Sequence, residues 1–258
     1  METYVINLER NADRRRYVEG LLGKYKMLDI TYIKAFDGAK YSEVELHKIF
    51  DYDRYERSTL KRIRPGEIGC TMSHQYCYRT LCESSTKSAI IFEDDIVIND
   101  DNVADLVVQI EKFLDTDEPR LLLLSGWYWF TTKMTFDKHH EIAKVYDGYL
   151  THAYALNKAA AKILIDEKPW YVADSWHIFR KRGVNIYGLS PHPFDQDWSG
   201  VFKSEVLVKN SEAVTRRSAV WLGLKWRGFK QRILTLIGNF ESPKDLNERK
   251  SEIERNNG

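Results

Sequence analysis

Hydrophobic residues follow two alternating patterns along residues 1–200 of the chain. Short uninterrupted apolar runs, rich in isoleucine, leucine, valine and aromatic residues, are typical of strands that are buried on both faces. Between these runs, apolar residues recur every three or four positions, which is the spacing of an amphipathic helix. Strands are predicted at residues 4–8, 30–36, 89–98, 121–126, 142–146, 149–156 and 184–189, and helices at residues 17–22, 68–81, 102–114 and 158–166. A turn at Asp147-Gly148 is predicted to join the strands 142–146 and 149–156. This alternation predicts an α/β domain.

One apolar run, residues 89–98, is interrupted by three consecutive acids, Glu93, Asp94 and Asp95. Carboxylates this close repel one another, and burial at a strand end disfavours their charged form. A bound Mn²⁺ or Mg²⁺ would remove both penalties, because hard divalent cations prefer oxygen ligands. In enzymes that use nucleotide sugars, such a cluster holds a metal against the donor diphosphate. A solvated acidic turn after an edge strand is the alternative interpretation.

Other polar side chains stand within the predicted apolar elements. His152 lies in the predicted strand 149–156, where it is either a metal or phosphate ligand or a hydrogen-bonded core histidine. Ser73 and His74 are neighbours in a predicted helix and point about 100° apart, so spacing alone does not make them a nucleophile–base pair. Both are still candidates to line a cleft that binds a donor.

Two aromatic-rich segments add further candidates. Asp174 stands among apolar and aromatic residues, where burial would raise its pKa as a general base requires. Capping the next helix is its alternative role. The cluster at residues 127–130 follows a predicted strand and is a candidate surface for stacking an acceptor sugar, with a core plug or a hairpin as alternatives. The loop predicted at residues 191–199 is a candidate to fold over a site.

Composition limits the possible partners and compartments. The length of 258 residues suits one large α/β domain or two small ones, and a net charge of +1 indicates no general polyanionic partner, so nucleic acid is not expected. Cys70, Cys77 and Cys82 offer neither a disulfide framework nor a CxxC zinc motif, which favours reduced thiols in a cytoplasmic protein. No signal peptide is visible, and no run reaches the roughly 18 apolar residues that cross a bilayer.

The charge is nevertheless unevenly placed, since no acidic residue lies between Glu212 and Glu241. Within residues 206–240, a predicted apolar helix face is flanked by cations. The apolar residues are Leu222, Trp226, Phe229, Ile233 and Leu236, and the cations are Arg216, Arg217, Lys225, Arg227, Lys230 and Arg232. Such a segment suits an anionic membrane surface, while packing on the domain or in a dimer is the alternative. Residues 241–258 are predicted to form a polar tail that frays.

Several sequence blocks occur in a specific order. They are YVINLER at residues 4–10 with Arg14 and Arg15, GEIGC at 66–70 with Ser73 and His74, IIFEDD at 90–95, THAY at 151–154 with Ala159, Ala160 and Leu164, and VAD at 172–174. Together they resemble glycosyltransferase family 25, the lipooligosaccharide galactosyltransferases, whose relatives glycosylate collagen. The resemblance covers residues 3–200, and the chain beyond residue 205 carries no matching motif.

The resemblance implies a GT-A-like fold, in which residues 1–205 form a single nucleotide-sugar-binding domain with a mixed central sheet flanked by helices. It also implies a UDP-sugar donor, usually UDP-galactose, together with Mn²⁺ or Mg²⁺ and inversion at the anomeric carbon. Asp95 would be the principal metal ligand, and Asp94 or Glu93 would contact the ribose or a metal-bound water. The acidic motif here opens with Glu rather than Asp, which moves the first carboxylate outward by one methylene. Expected donor-binding residues are Asn7, Arg10, Arg14, Ser73, His74 and Asp94.

The function expected from the residues and the resemblance is metal-dependent transfer of a hexose, above all galactose, to a lipooligosaccharide or LPS oligosaccharide at the cytoplasmic face of the inner membrane. Glu93, Asp95 and His152 are the expected metal ligands. Asp174 is the preferred base and Glu67 the alternative. Two other functions stay open: a metal-dependent phosphotransferase or hydrolase that uses the same acids, and a catalytically silent, membrane-associated module that binds glycolipid.

Overall fold

The computed structural model describes residues 1–197 and 219–242. The strands within these ranges are β1 Glu2–Asn7, β2 Asp29–Lys34, β3 Ser88–Glu93, β4 Ile96–Ile98, β5 Arg120–Leu123, β6 Trp127–Thr135, β7 Glu141–Tyr149, β8 Ala153–Asn157, β9 Asn185–Ser190, β10 Phe194–Gln196 and β11 Phe240–Glu241. The helices are α1 Ala12–Leu22, α2 Glu43–Ile49, α3 Tyr52–Thr59, α4 Pro65–Glu83, α5 Val103–Leu114, α6 Lys158–Leu164, α7 Trp176–Lys181 and α8 Ala219–Leu236. In this part of the chain, every helix is too short or too polar to cross a bilayer.

Some of the sequence predictions fall outside these ranges. The predicted boundary between residues 205 and 206, the cations Arg216 and Arg217, and residues 243–258 of the predicted tail lie outside the described residues.

Nine strands form one mixed sheet in the order β11-β6-β7-β9-β5-β8-β3-β1-β2. Strands β2, β1 and β3 run parallel, as do β5 and β9, whereas β8 runs antiparallel between β3 and β5. Strands β4 and β10 form a separate antiparallel pair. The predicted α/β class, with a mixed central sheet flanked by helices, is confirmed.

Apolar side chains cover both faces of the sheet, which explains the uninterrupted apolar runs in the sequence. Along β1, Tyr4 and Ile6 pack into one core cluster and Val5 into the other. Helices α4, α6 and α7 supply the first cluster, and α1 and α5 supply the second. Each fully buried aliphatic or aromatic side chain contributes about 1.5–3 kcal/mol to stability.

Two predicted elements in the middle of the chain are wrong. The predicted turn at Asp147-Gly148 does not form, because β7 continues through both residues and pairs with β6. A Cβ on Gly148 would lie 2.7 Å from the carbonyl oxygen of Trp127, so glycine here allows the two strands to pair closely. His152 is not inside a strand, since β8 begins one residue later.

The acidic run and the aromatic cluster also differ from the simplest expectation. The predicted strand 89–98 divides into β3 and β4, with Asp94 and Asp95 in the turn between them. β3 lies between β8 and β1, so the alternative of an acidic turn after an edge strand is wrong. The aromatic residues 127–130 begin the β6–β7 hairpin, and Tyr128 is fully buried within it.

Two glycines bring the segment after β2 against the first turns of α4. A Cβ on Gly38 would lie 1.9 Å from the carbonyl oxygen of Pro65, and one on Gly69 would lie 2.6 Å from that of Phe36. Backbone atoms cannot yield as flexible side-chain ends do, so both positions require a residue without a Cβ. This contact fixes α4, and with it Ser73 and His74, relative to the end of β2.

Replacing Gly69 by alanine is therefore expected to lower the free energy of unfolding by about 1–3 kcal/mol, since the added methyl group overpacks a backbone contact. Urea unfolding followed by circular dichroism measures the change. Gly20→Ala is the matched control, because no atom lies within 4 Å of its Cβ position in α1. That variant is expected to gain about 0.5–1 kcal/mol from helix propensity. Equal effects of the two substitutions would contradict the close contact.

Candidate active site

Polar segments from several strands meet at one edge of the sheet. β1 and β3 are parallel and end at Asn7 and Glu93, while β8 runs in the opposite direction and begins directly after His152. In two antiparallel neighbouring strands, the end of one lies beside the start of the other. The residues after β3 and those before β8 therefore lie at the same edge of the sheet. The cleft formed there has a volume of about 550 Å³.

Asp94 and Asp95 are both buried in the turn between β3 and β4. Nη1 of Arg14 lies 2.9 Å from Oδ1 of Asp94 and 3.2 Å from Oδ2 of Asp95. Asn7 donates a hydrogen bond to Asp94 at 2.6 Å, and Gln196 donates one to Asp95 at 3.0 Å. Burial raises the pKa of both acids, against the opposing effect of Arg14, and the charge of Glu93 raises that of Asp95 further. A further cation at this point would lower the cost of ionising both carboxyl groups.

Glu93 lies between two buried histidines. Its Oε1 is 3.7 Å from Nε2 of His74 and its Oε2 is 3.7 Å from Nδ1 of His152, while the hydroxyl of Thr151 donates a hydrogen bond to Oε1. Burial acts to raise the pKa of Glu93, but its interactions with His152 and His74 outweigh burial and hold that pKa well below its usual range. Nδ1 of His74 in turn lies 2.7 Å from the hydroxyl of Tyr154. Glu93 is therefore an ionised carboxylate held in a fixed position.

Asp174 enters the cleft from the segment that precedes α7. Ser175, not Asp174, occupies the N-cap position of that helix, so the capping role is wrong. Oδ2 of Asp174 instead accepts a hydrogen bond from the backbone N–H of Leu150 at 3.1 Å. Burial raises the pKa of Asp174, with the Leu150 N–H acting in the opposite direction. This change brings the carboxylate closer to the proton affinity that a general base needs.

Leu150 adopts a backbone conformation that is unusual for leucine, with φ of 76°. Its N–H is held by Asp174, and its carbonyl oxygen accepts a hydrogen bond from Nε1 of Trp176 at 3.2 Å. Such strained residues persist only where surrounding contacts hold them, and they cluster at functional sites. Here the two contacts direct the following Thr151 and His152 to Glu93.

The described residues include two overlapping groups of side chains whose ligand atoms lie within 4.8 Å of one another, close enough to share a metal ion. One is Glu93, Asp95 and His152, and the other is Cys70, His74 and Glu93. Oδ1 of Asp95 is buried with no hydrogen-bond partner among the described residues, and a cation would satisfy it. Burial raises the pKa of the Cys70 thiol, which makes it a poor ligand. The first group fits Mn²⁺ or Mg²⁺ better, because two of its three side chains supply the carboxylate oxygens that these cations prefer.

Most of the cleft lies in a part of the chain that matches a known protein family. The sequence model of glycosyltransferase family 25, described as LPS biosynthesis protein, matches residues 1–175. The chain belongs to glycosyltransferase family 25. The matched span contains the acidic turn, His152 and Asp174, so nearly the whole cleft lies within the family-25 region. The predicted resemblance is confirmed.

Curated relatives of this family-25 chain share only part of their length with it. Procollagen galactosyltransferase 1-A from Xenopus laevis is 32% identical over 100 residues, which cover 37% of the chain and 16% of that relative. A glycosyltransferase 25 family member from Aedes aegypti is 28% identical over 181 residues, covering 64% of the chain and 28% of the relative. The solved structure of A197 from STIV aligns over 73% of the chain and 81% of its own, at 10% identity and a TM-score of 0.37, which is too low to indicate a shared fold.

The structure brings the sequence-predicted site residues of the family-25 chain together. Ten of the predicted site residues line the cleft: Arg10, Arg14, Glu67, Ser73, His74, Glu93, Asp94, Asp95, His152 and Asp174. Asn7 lies behind them, where it holds Asp94. Two of these side chains also have structural partners. The hydroxyl of Ser73 donates to the carbonyl of Gly69 and accepts from the N–H of Phe36, and Arg64 contacts both carboxylate oxygens of Glu67.

Several cleft residues were not among the predicted site residues. Thr151 is the first residue of the THAY motif at residues 151–154, but its hydrogen bond to Glu93 joins residues 58 positions apart in the sequence. Gln196 lies in the segment predicted to fold over a site. That segment does reach the acidic turn, since the N–H of Asp197 donates to the carbonyl of Asp95 at 2.8 Å, while Trp198 and Ser199 lie outside the described residues. Trp127 alone of the cluster at 127–130 lines the cleft.

Proposed function

We propose that this family-25 protein transfers galactose from UDP-galactose to a hydroxyl group of an LPS or lipooligosaccharide oligosaccharide, with inversion at the anomeric carbon. The observation that carries the proposal is a single cleft that holds both the strand-end acids and the half-buried carboxylate of Asp174. The names of the galactosyltransferase relatives support the sugar, and the description of the family supports the acceptor. We infer a GT-A-type domain, since the acidic turn follows a central strand of a mixed sheet.

The charges of the cleft suit a nucleoside diphosphate that arrives with a cation. Six carboxyl groups line the cleft, at Asp37, Glu67, Glu93, Asp94, Asp95 and Asp174, against two guanidinium groups, at Arg10 and Arg14. This excess of negative charge would repel a diphosphate unless a metal compensates for it. Glu93, Asp95 and His152 would hold Mn²⁺ or Mg²⁺, which when bound stabilises the charge on the leaving UDP. Asn11 at the N-terminus of α1 also lines the cleft, where the helix dipole favours an anion.

Asp174 is the base in this proposal. An oxygen of the acceptor attacks the anomeric carbon, the bond from that carbon to the UDP oxygen breaks, and the acceptor proton passes to the Asp174 carboxylate. The raised pKa of Asp174 favours proton uptake. Glu67 is less suited to the role, because Arg64 holds both of its oxygens, at 3.1 Å each.

Ligand binding to the full chain tests the donor and the metal together. A thermal-shift series compares UDP, UDP-galactose and a GDP-sugar, each with Mn²⁺ and with EDTA. Because a ligand stabilises the folded state by mass action, UDP species with Mn²⁺ are expected to raise Tm by about 5–10 °C at a concentration of one hundred times Kd. EDTA is expected to abolish the shift, and the GDP-sugar to give a smaller one. An equal shift for UDP and GDP species, or no shift at all, would contradict the proposal.

A further inference from the structure

Helix α8 binds the domain through polar side chains. Asp147, fully buried in β7, accepts hydrogen bonds from the guanidinium of Arg227, at 3.0 Å from Nη2, and from Nε2 of Gln231 at 2.7 Å. One turn further on, the hydroxyl of Thr235 accepts a hydrogen bond from Nε1 of Trp129 at 2.8 Å. Positions four residues apart lie on one helix face, so this face is the one that contacts the domain.

The opposite face of α8 is apolar and exposed. It carries Leu222, Trp226, Phe229, Ile233 and Leu236, whose exposed fractions lie between 41% and 85%. At 100° per residue these five side chains fall within an arc of about 80°. A helix on the surface of a soluble domain normally buries such a stripe and exposes its polar side. Helix α8 does the reverse, and contiguous exposed apolar surface of this kind marks an interaction site.

Cations stand on both edges of the apolar stripe. On the same helical projection, Lys230 lies about 40° beyond one edge, and Arg232 and Lys225 lie about 20–40° beyond the other. All three are exposed, and α8 contains no acidic residue. The surface therefore presents an apolar strip, including an indole and a phenyl ring, between two rows of positive charge.

We propose that this face of α8 docks on an anionic lipid surface, with the apolar stripe inserted among the lipid headgroups and acyl chains and the lysines and arginine paired with lipid phosphates. An aromatic and aliphatic stripe bordered by cations is the pattern of an interfacial helix. Pairing of two copies through the same face would bring the cationic edges together, and like charges at that distance repel. The hydrogen bonds of the buried Asp147 with Arg227 and Gln231 hold the stripe outward before lipid arrives, so docking requires no folding of the helix.

Flotation of the full chain with vesicles tests this proposal. Vesicles of phosphatidylcholine alone are compared with vesicles that also contain phosphatidylglycerol. The protein is expected to float with the mixed vesicles and far less with the neutral ones. The variant W226S/F229S is expected to lower the partition coefficient at least about tenfold, since the two aromatic rings that would insert into the lipid are lost. K225Q/K230Q is expected to lower binding to the anionic vesicles by about 25-fold, about fivefold per lysine, and to leave neutral vesicles unaffected.

Val44→Ser is the matched control, because Val44 is 70% exposed on α2 and does not belong to the α8 stripe. It is expected to bind vesicles as the unaltered protein does. All the substituted side chains are exposed, so Tm is expected to stay the same, which separates loss of docking from loss of fold. Two results would overturn the proposal: equal binding to neutral and anionic vesicles, or a dimer in lipid-free solution that W226S/F229S dissociates. The second result would assign the face to contact between copies of the chain.

Discussion

Asparagine in place of Asp174 is expected to lower the rate of sugar transfer by about 10²–10⁴-fold, the usual contribution of a positioned general base. The amide keeps the shape of the side chain, and its oxygen still accepts the hydrogen bond from Leu150, so the cleft is preserved. UDP binding with Mn²⁺ is expected to stay within about twofold, because in the proposed reaction Asp174 contacts the acceptor proton and not the nucleotide. Initial rates of UDP release, with calorimetric Kd for UDP, measure both quantities.

Glu67→Gln is the matched comparison for that variant. Arg64 holds both Glu67 oxygens, so we expect this amide to change the rate only a few-fold, with some loss of stability from the weakened helix start. The pH profile adds a second check. Since burial raises the pKa of Asp174, the acid limb of kcat/KM is expected above the usual carboxyl value of 3.8. Full activity in Asp174→Asn together with an inactive Glu67→Gln would transfer the role of base to Glu67.

Replacing Asp95 by asparagine is expected to abolish the metal dependence of UDP binding, with metal affinity reduced by at least about 100-fold. Even residues that only orient metal ligands cost 10–100-fold when altered, and Asp95 is proposed as a direct ligand. The metal-free protein is expected to keep or raise its Tm, since the substitution removes a buried charge that burial and Glu93 disfavour. Asparagine still accepts the hydrogen bond from Gln196.

Calorimetric titration of Mn²⁺, and of UDP with Mn²⁺ present, measures the loss. Asp105→Asn serves as control, because Asp105 is an exposed carboxylate on α5, outside the cleft. Unchanged Mn²⁺-dependent UDP affinity in the Asp95 variant, or an equal loss in the control, would remove Asp95 from the metal site.

The sequence predicted those parts of the fold that depend on local pattern. The apolar run of β3 is uninterrupted because both sheet faces are covered, and the acids Glu93 to Asp95 mark where that strand ends. The turn predicted at Asp147-Gly148 failed for a tertiary reason. Asp147 is stabilised inside β7 by Arg227, which lies 80 positions further along the chain.

The site shows the same division between local and long-range information. The local sequence pattern identified Glu93, Asp95 and Asp174 as candidates, since the first two interrupt an apolar run and Asp174 stands among apolar and aromatic residues. Two features required the folded chain: the left-handed conformation of Leu150 and the reach of Gln196 to Asp95. Neither has a local sequence signal, because leucine rarely adopts positive φ and Gln196 lies 101 positions from its partner.

The most direct test of the proposed function is the initial rate of UDP release from UDP-galactose by the full chain, with an LPS-type oligosaccharide acceptor, in Mn²⁺ and in EDTA. We predict turnover that requires both acceptor and Mn²⁺, falls with UDP-glucose as donor and drops by about 10²–10⁴-fold in Asp174→Asn. The product is expected to have the anomeric configuration opposite to that of the donor. Retention of configuration, turnover undiminished in EDTA, or no turnover with any UDP-sugar would contradict the proposed function.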